Sequence, residues 1–215
     1  MSKTLIAIPC MDMVYTDFMM SLTNIERIGQ TFCAVTKSSL VYDARNALAK
    51  QAVEGDFDTV LWLDSDIKFQ PDLLKRLMAH IENGIDFVSG LYFKRCYPTG
   101  PVVFKTITQR KEGRELITEA LPYDDYPKDQ LFEVDAAGFG AVLMKVDLLK
   151  KVSDKYGLPF SPCLGLGEDM SFCWRAKQLG AKLYCDSSIK LRHIGLTTYD
   201  ESTYMIQQEE NSKGD

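Results

Sequence analysis

Between residues 4 and 92, short apolar runs of strand character alternate with stretches of helical spacing, and this alternation constrains the fold more than any other feature. Residues 4–8 (TLIAI) are apolar and end at Pro9. Residues 15–28 place Phe18, Met19, Leu22, Ile25 and Ile28 at helical intervals, with Gly29 as a C-terminal cap. A second strand over 31–36 (TFCAVT) leads to Ser38 or Ser39 as the cap of a helix reaching Val53 and closed by Gly55. The third strand covers 58–64. Pro71 then opens a helix carrying Leu73, Leu74, Leu77, Met78 and Ile81, which Asn83-Gly84 ends, and residues 86–92 form a fourth strand. The order β-α-β-α-β-α-β predicts an α/β fold with a doubly wound, mostly parallel sheet. Ligands of such sheets bind beyond the carboxyl ends of the strands. Pro9-Cys10 and Asp64-Ser65-Asp66 are therefore expected at one crevice.

The second half differs. Residues 101–119 read as a hairpin turning at Glu112-Gly113, and 122–130 as a polar loop. Residues 131–146 suggest one or two buried strands broken at Gly138-Phe139-Gly140, so the predicted sheet has a small antiparallel part here. A helix runs from Glu168-Asp169 to Gly180, and 182–193 return to strand. At 215 residues, 46% hydrophobic and 26% charged, the chain suits one ordinary globular domain. A net charge of −5 argues against non-specific nucleic-acid binding as its main task. Six cysteines without a Cys-x-x-Cys pair, and two histidines, do not make a zinc ribbon or finger; they read as reduced, mostly buried thiols of a cytoplasmic protein. The N-terminus turns polar too soon for a signal peptide, and no run approaches the length of a membrane span.

The third strand closes on Asp64-Ser65-Asp66 after the apolar run Val60-Leu61-Trp62-Leu63. Carboxylates two residues apart on an extended strand point to one face. At about 5 Å and an effective dielectric near 20 they repel by about 3 kcal/mol, a cost that a cation between them removes. The pair reads as a divalent-metal site or as a turn or helix cap. Glu168-Asp169, preceded by Gly165 and Gly167, reads as a dipole-complementing helix start or as acid–base machinery. His193 is a ligand or a structural histidine, and His80 is structural or exposed. Arg45-Asn46 is a surface pair or a guanidinium and amide aimed at nucleotide oxygens. Gly138 and Gly140 mark a strand bulge or a close ligand approach. Tyr92, Lys94 and Arg95 follow a strand end, where two cations meet phosphates or solvate a loop.

In this order VYDARNALAK (41–50), VLWLDSDIKFQPDLL (60–74), SGLYFKR (89–95), GFGAVLMK (138–145), GEDMSFCWRAKQLG (167–180) and KLYCDSSIKLRHIG (182–195) resemble the GT-A-fold glycosyltransferases. The likeness is close to the family 2-like sugar-nucleotide transferases, and within them to a small group met in bacteria and phages. It covers roughly residues 4–196 and implies a metal-dependent, hexosyltransferase-like enzyme that moves a sugar from a UDP- or GDP-linked donor to an acceptor hydroxyl. It implies Mn²⁺ or Mg²⁺ ligated by Asp66, with Asp64 near ribose and metal, Ser65 in the donor site, and His193 completing the metal shell; an imidazole ligand favours Mn²⁺. Pro9, Cys10 and Ser39 fall where the base binds, and Arg45 and Asn46 match a pair facing the nucleotide. Gly138 and Gly140 would admit sugar or acceptor. Asp169 matches the general base of inverting members, with Glu168 beside it; in a retaining enzyme these two would orient the donor sugar. The chain is expected to form one domain with a nucleotide-binding half (1–95), an acceptor and catalytic half (96–196) and a polar tail (197–215), frayed after Thr203 and too short for a processive membrane synthase.

Two other readings stay open. A sugar-phosphate nucleotidyltransferase also sets aspartates and a divalent metal on a doubly wound sheet, but it carries a glycine-rich basic loop after the first strand, where this chain reads Pro9-Cys10-Met11-Asp12-Met13. The other is a non-catalytic nucleotide- and metal-binding module of the same fold. The expected partners are a nucleotide-sugar donor and an acceptor that is a glycan, a lipid-linked sugar, a protein or a nucleic-acid base. Nucleic acid enters only as such an acceptor.

Overall fold

A computed structural model describes residues 2–112, 115–195 and 198–212. The first half contains β1 (Lys3–Cys10), α1 (Thr16–Thr23), β2 (Gln30–Lys37), α2 (Val41–Glu54), β3 (Thr59–Leu63), β4 (Ile67–Lys68), α3 (Leu73–Glu82) and β5 (Phe87–Leu91). The second contains β6 (Val103–Glu112), β7 (Glu115–Pro122), β8 (Leu131–Val134), β9 (Ala136–Ala137), β10 (Ala141–Lys145), α4 (Val146–Tyr156), α5 (Glu168–Gln178), β11 (Leu183–Lys190), β12 (Arg192–Ile194), β13 (Thr198–Tyr199) and α6 (Glu201–Ser212).

Seven strands form the central sheet in the order β2-β1-β3-β10-β5-β11-β8. β2, β1, β3, β5 and β11 run in one direction, while β10 and β8 run against them. The sheet is thus mostly parallel, but the antiparallel β10 lies at its centre, between β3 and β5. Two three-stranded sheets flank it, β13-β12-β4 and β7-β6-β9.

Central strands are buried on both faces, which is why they read as unbroken apolar runs rather than alternating ones. All five residues of β3 are buried. Its alternate side chains divide two cores: Val60 and Trp62 join Phe87, Phe139, Phe160 and Phe172 on one face, and Leu61 and Leu63 join Ile6, Ile8, Phe18 and Leu77 on the other. α2 presents a narrow stripe of Leu48, Ala49 and Ala52 to the first core, and α3 presents Leu73, Leu74, Leu77, Met78 and Ile81 to the second.

Several elements differ from their sequence expectation. α1 ends at Thr23, because Thr23 Oγ1 and Asn24 Nδ2 bond back to the Met19 and Met20 carbonyls and Glu26 N–H donates to Pro71 O. Ile25 is buried without being helical. Neither Ser38 nor Ser39 caps α2: the helix starts at Val41, and Ser38 Oγ accepts from Leu40 N–H at 3.1 Å. α4 follows β10 directly, an element the strand reading of 131–146 did not include. The hairpin is present as β6 and β7, with Glu112 ending β6 and Gly113 outside the described residues. The tail forms α6, with Tyr204 and Gln207 buried, so it is docked rather than frayed. The six cysteines are unpaired, and only Cys173 and Cys185 are buried; Cys33 and Cys96 are exposed. Among the described residues no helix is long and apolar enough to cross a membrane.

Candidate active site

The first three strands end side by side, as their order in the sheet requires. Ser38 N–H donates to Cys10 O at 3.0 Å, so the segment after β2 folds over the end of β1. Pro9 is buried, Cys10 is half-buried with its thiol on Met13 O, and Ser39 is exposed beside them. β3 stops at Leu63. Asp64 and Asp66 therefore lie not on extended strand but on a turn closed by Ile67 N–H to Asp64 O at 3.2 Å, and Asp64 N–H donates to Gly140 O at 3.1 Å. Ser65 lends this turn its carbonyl, which accepts from Tyr15 N–H at 3.3 Å.

Each aspartate has its own arginine. Arg45 is only 2% exposed, the reverse of a surface position. Its Nη2 donates to Asp64 Oδ1 at 2.8 Å and its Nε to Glu168 Oε1 at 3.4 Å. The guanidinium lies over Phe139, Trp62 and Phe160, with ring centroids at 5.1, 5.9 and 6.0 Å. Burial disfavours its charge, but Asp64, Glu168 and Asp169 together outweigh that and the guanidinium holds its proton more firmly than usual. Burial pushes the Asp64 carboxyl up, against Arg45 and with Asp66 and Glu168. Arg45 thus joins the turn after β3 to the start of α5 and does not face an open nucleotide site. Asn46 is likewise turned away: its Oδ1 accepts Phe160 N–H at 2.9 Å and ties down the segment before α5. Arg45 Nη1, Asn46 Nδ2 and Trp62 Nε1 are buried and find no hydrogen-bond partner among the described residues.

Asp66 has different surroundings. β4 pairs with β12 in a register that sets His193 opposite Ile67, and Ile194 N–H donates to Asp66 O at 2.7 Å. This short ribbon carries His193 Nε2 to 3.5 Å from Asp66 Oδ2, which Arg95 Nη1 also reaches at 3.0 Å. His193 Nδ1 lies 2.8 Å from Phe93 O. A carbonyl only accepts, so Nδ1 carries a hydrogen and Nε2 is the ring nitrogen that faces the carboxylate. A proton on Nε2 or a metal ion between the two atoms satisfies this contact. A ligand imidazole fixed by a carbonyl on its other nitrogen is the usual arrangement in metal sites. Burial acts upward on the Asp66 carboxyl, but the His193 bond and charge and the Arg95 charge outweigh it and hold the carboxyl below the usual range. Among the described residues no three His, Cys, Asp or Glu side chains already converge as a metal shell. A cation at Asp66 and His193 would need further oxygens from a ligand, which the diphosphate of a nucleotide supplies.

α5 brings Glu168 and Asp169 to the same edge. Neither caps the helix conventionally: Gly167 is the N-cap residue, without a side-chain bond, and Glu168 reaches across to Arg45. Burial first, then the neighbouring Glu168 charge, pushes the Asp169 carboxyl up to about 6. Gly138 and Gly140 serve packing rather than a ligand. A Cβ on Gly138 would strike the Tyr92 hydroxyl and lie 2.6 Å from Val102 Cγ1; one on Gly140 would lie 2.9 Å from Tyr92 Cε1. The Tyr92 ring fills that space, and burial together with Asp64 and Asp169 drives its phenol well above the ordinary value. His80 pairs with Asp186 at 2.8 Å.

Three contributors had no clear sequence signal. Phe93 acts through its carbonyl, which any residue offers. Phe139 and Phe160, with Trp62, build the slot for Arg45 and read in sequence only as core. α6 stacks Tyr204 on Phe93, with centroids 5.0 Å apart, and Gln207 Oε1 accepts Thr99 N–H at 2.7 Å. The tail helix thereby fixes the segment that orients His193 and carries Arg95. A cavity of about 440 Å³ beside Asp58, Thr59, Lys145 and Asp147 lies at the other end of β3, where that strand begins, and holds none of these residues.

The sequence matches no protein-family model and no curated protein. Solved structures do match. A197 from STIV superposes with a TM-score of 0.65 at 23% identity, over 90% of this chain and 86% of that one. GalNAc-T7, solved with UDP, GalNAc and Mn²⁺, superposes with a TM-score of 0.60 at 12% identity, over 90% of this chain but 43% of that one. At such identities the shared property is the fold, and it does not extend to family 2 in particular. The chain has the GT-A fold.

Proposed function

We propose that the protein is a glycosyltransferase that uses a divalent cation, Mn²⁺ or Mg²⁺, to bind a UDP- or GDP-linked sugar and passes the sugar to an acceptor hydroxyl. The observation that carries this reading is the Asp66–His193 pair, carboxylate oxygen and ring Nε2 held 3.5 Å apart with the far ring nitrogen committed to Phe93 O. The GT-A fold, and the UDP and Mn²⁺ present in the GalNAc-T7 structure, add support.

Asp66 and His193 would hold the cation, with Asp64 beside them. When bound, it would neutralise the charge that develops on the departing nucleoside diphosphate. Arg45 keeps Asp64 and Glu168 in place and so ties the donor end of the site to α5. Pro9, Cys10 and Ser39, at the joined ends of β1 and β2, form the edge that receives the nucleobase. Asp169 would take the proton from the acceptor hydroxyl. A carboxyl raised to about 6 is better suited to that task than an ordinary one, because its affinity for a proton is closer to the working pH while it remains ionised at neutrality. Glu168, bonded to Arg45, holds the neighbouring charge that keeps Asp169 raised. Gly138 and Gly140 shape the floor through Tyr92.

Release of nucleoside diphosphate from a panel of UDP- and GDP-sugars, with and without Mn²⁺, tests this reading. Release that needs the metal, and that Asp169→Asn lowers by about 10²–10⁴ without weakening nucleotide binding, is the expected result. Wild-type turnover in Asp169→Asn would remove it from the role of base.

A further inference from the structure

Arg95 stands where the cation of the proposed reaction would act, and nothing in that reading yet uses it. Its Nη1 bridges Asp66 Oδ2 at 3.0 Å and Ile194 O at 3.1 Å. A guanidinium and a divalent ion cannot share one carboxylate oxygen comfortably, since both seek the same lone pairs and repel each other. The Arg95 side chain is 40% exposed against 18% for Asp66, so an outward path is open to it. Arg45, by contrast, is sealed under three aromatic rings and has none. Arg95 also lies two residues beyond Phe93, on the segment that α6 clamps, so its backbone stays fixed when its side chain turns.

We infer that Arg95 is an exchangeable counter-ion of Asp66: it neutralises the carboxylate until a divalent cation takes its place, and the released guanidinium then meets the diphosphate of the bound nucleotide. The inference rests on the metal-dependent reading above. Two consequences follow from charge alone. An empty site does not expose an uncompensated carboxylate, so the turn after β3 keeps its shape without metal. Metal and nucleotide binding become coupled, because the cation that frees Arg95 also places a diphosphate where a planar fork of donors binds it well.

Calorimetric titration of Mn²⁺ into the wild-type protein, Arg95→Gln and Arg95→Lys tests the first half. Arg95→Gln, which keeps a donor for Ile194 O but loses the charge, is expected to bind Mn²⁺ at least tenfold more tightly than wild type. Arg95→Lys, which keeps the charge, is expected to stay within threefold of wild type. Equal affinity of Arg95→Gln and wild type would overturn the inference while leaving the metal site intact. No Mn²⁺ binding by any of the three without nucleotide would overturn the inference, which has the cation displace Arg95 first, while the transferase reading would stand or fall with metal and nucleotide added together. With Mn²⁺ saturating, titration of UDP and GDP tests the second half. Arg95→Gln is expected to bind the preferred nucleotide at least tenfold more weakly; unchanged nucleotide affinity would refute the diphosphate contact.

Discussion

The two arginine–aspartate pairs at the end of β3 have the same chemistry and opposite settings. Arg45–Asp64 is walled in by aromatic rings and shared with Glu168, whereas Arg95–Asp66 sits at the rim. A buried ion pair gains little net stability over an apolar substitute, but breaking one half leaves the other charged and dry. A rim pair is screened and contributes little either way. The same bond therefore acts as a fixed brace in one place and an exchangeable contact in the other. The difference teaches which aspartate is available for a ligand: Asp64 is spoken for by a residue that cannot leave, and Asp66 by one that can.

The largest expected effect comes from breaking the inner pair. Arg45→Met should destabilise the fold by about 3–5 kcal/mol in urea denaturation, because Asp64 and Glu168 keep their charge without a partner. Adding Asp64→Asn should recover part of that loss. A cost below about 1 kcal/mol would mean that Arg45 is no brace.

Asp169 gives a pH signature of similar size. Its folded-state pKa lies near 6, above the ordinary 3.8, so between those values the native state holds a proton that the unfolded chain has lost. Its contribution to stability is therefore full below about pH 4 and declines as pH rises through about 6, by about 3 kcal/mol in all. Asp169→Asn should remove that part of the pH dependence of unfolding. Turnover moves the other way, rising as Asp169 ionises through about pH 6.

A smaller effect probes the floor that both pairs share. Gly138→Ala drives a methyl into Tyr92 and Val102 and should cost about 1–3 kcal/mol, measured as a lowered denaturation midpoint. If the variant is neutral, the glycine is not there for packing. The smallest effect belongs to the outer pair. Arg95→Gln should change stability by less than about 1 kcal/mol, although it carries the same bond to an aspartate as Arg45. A loss as large as that of Arg45→Met would erase the distinction between the two pairs.

Much of this was legible in the sequence, and the omissions have physical causes. β1 through β5 with their helices follow from apolar periodicity, and the strand ends that assemble the site follow from the order of elements. The central place of antiparallel β10 was hidden, because it pairs with β3 and β5 across long separations that no local pattern records. α4 was lost because Lys145-Val146 passes from strand to helix without a glycine, proline or capping side chain; the change of spacing to Val146, Leu149 and Val152 was the one available signal. α6 is polar almost throughout and is held by Tyr204 and Gln207 three residues apart, too few for a helical stripe. In the site, Asp64, Asp66, Asp169 and His193 stood out by residue type and position. Arg45 was singled out but placed toward the nucleotide, because its burial depends on aromatic residues from three separate segments. Gly138 and Gly140 were given to a ligand because nothing in sequence pairs them with Tyr92.

The central claim is that Asp66 and His193 hold a divalent cation that recruits a nucleotide. Thermal unfolding with UDP or GDP, in the presence of Mn²⁺ and again with chelator, tests it most directly. At a hundredfold excess over Kd a ligand adds about 2.7 kcal/mol, a rise of about 5–10 °C for a domain of this size. The account predicts that rise only when metal and nucleotide are both present, and its loss in Asp66→Ala. No metal-dependent shift with either nucleotide, or the same shift in Asp66→Ala, would contradict it.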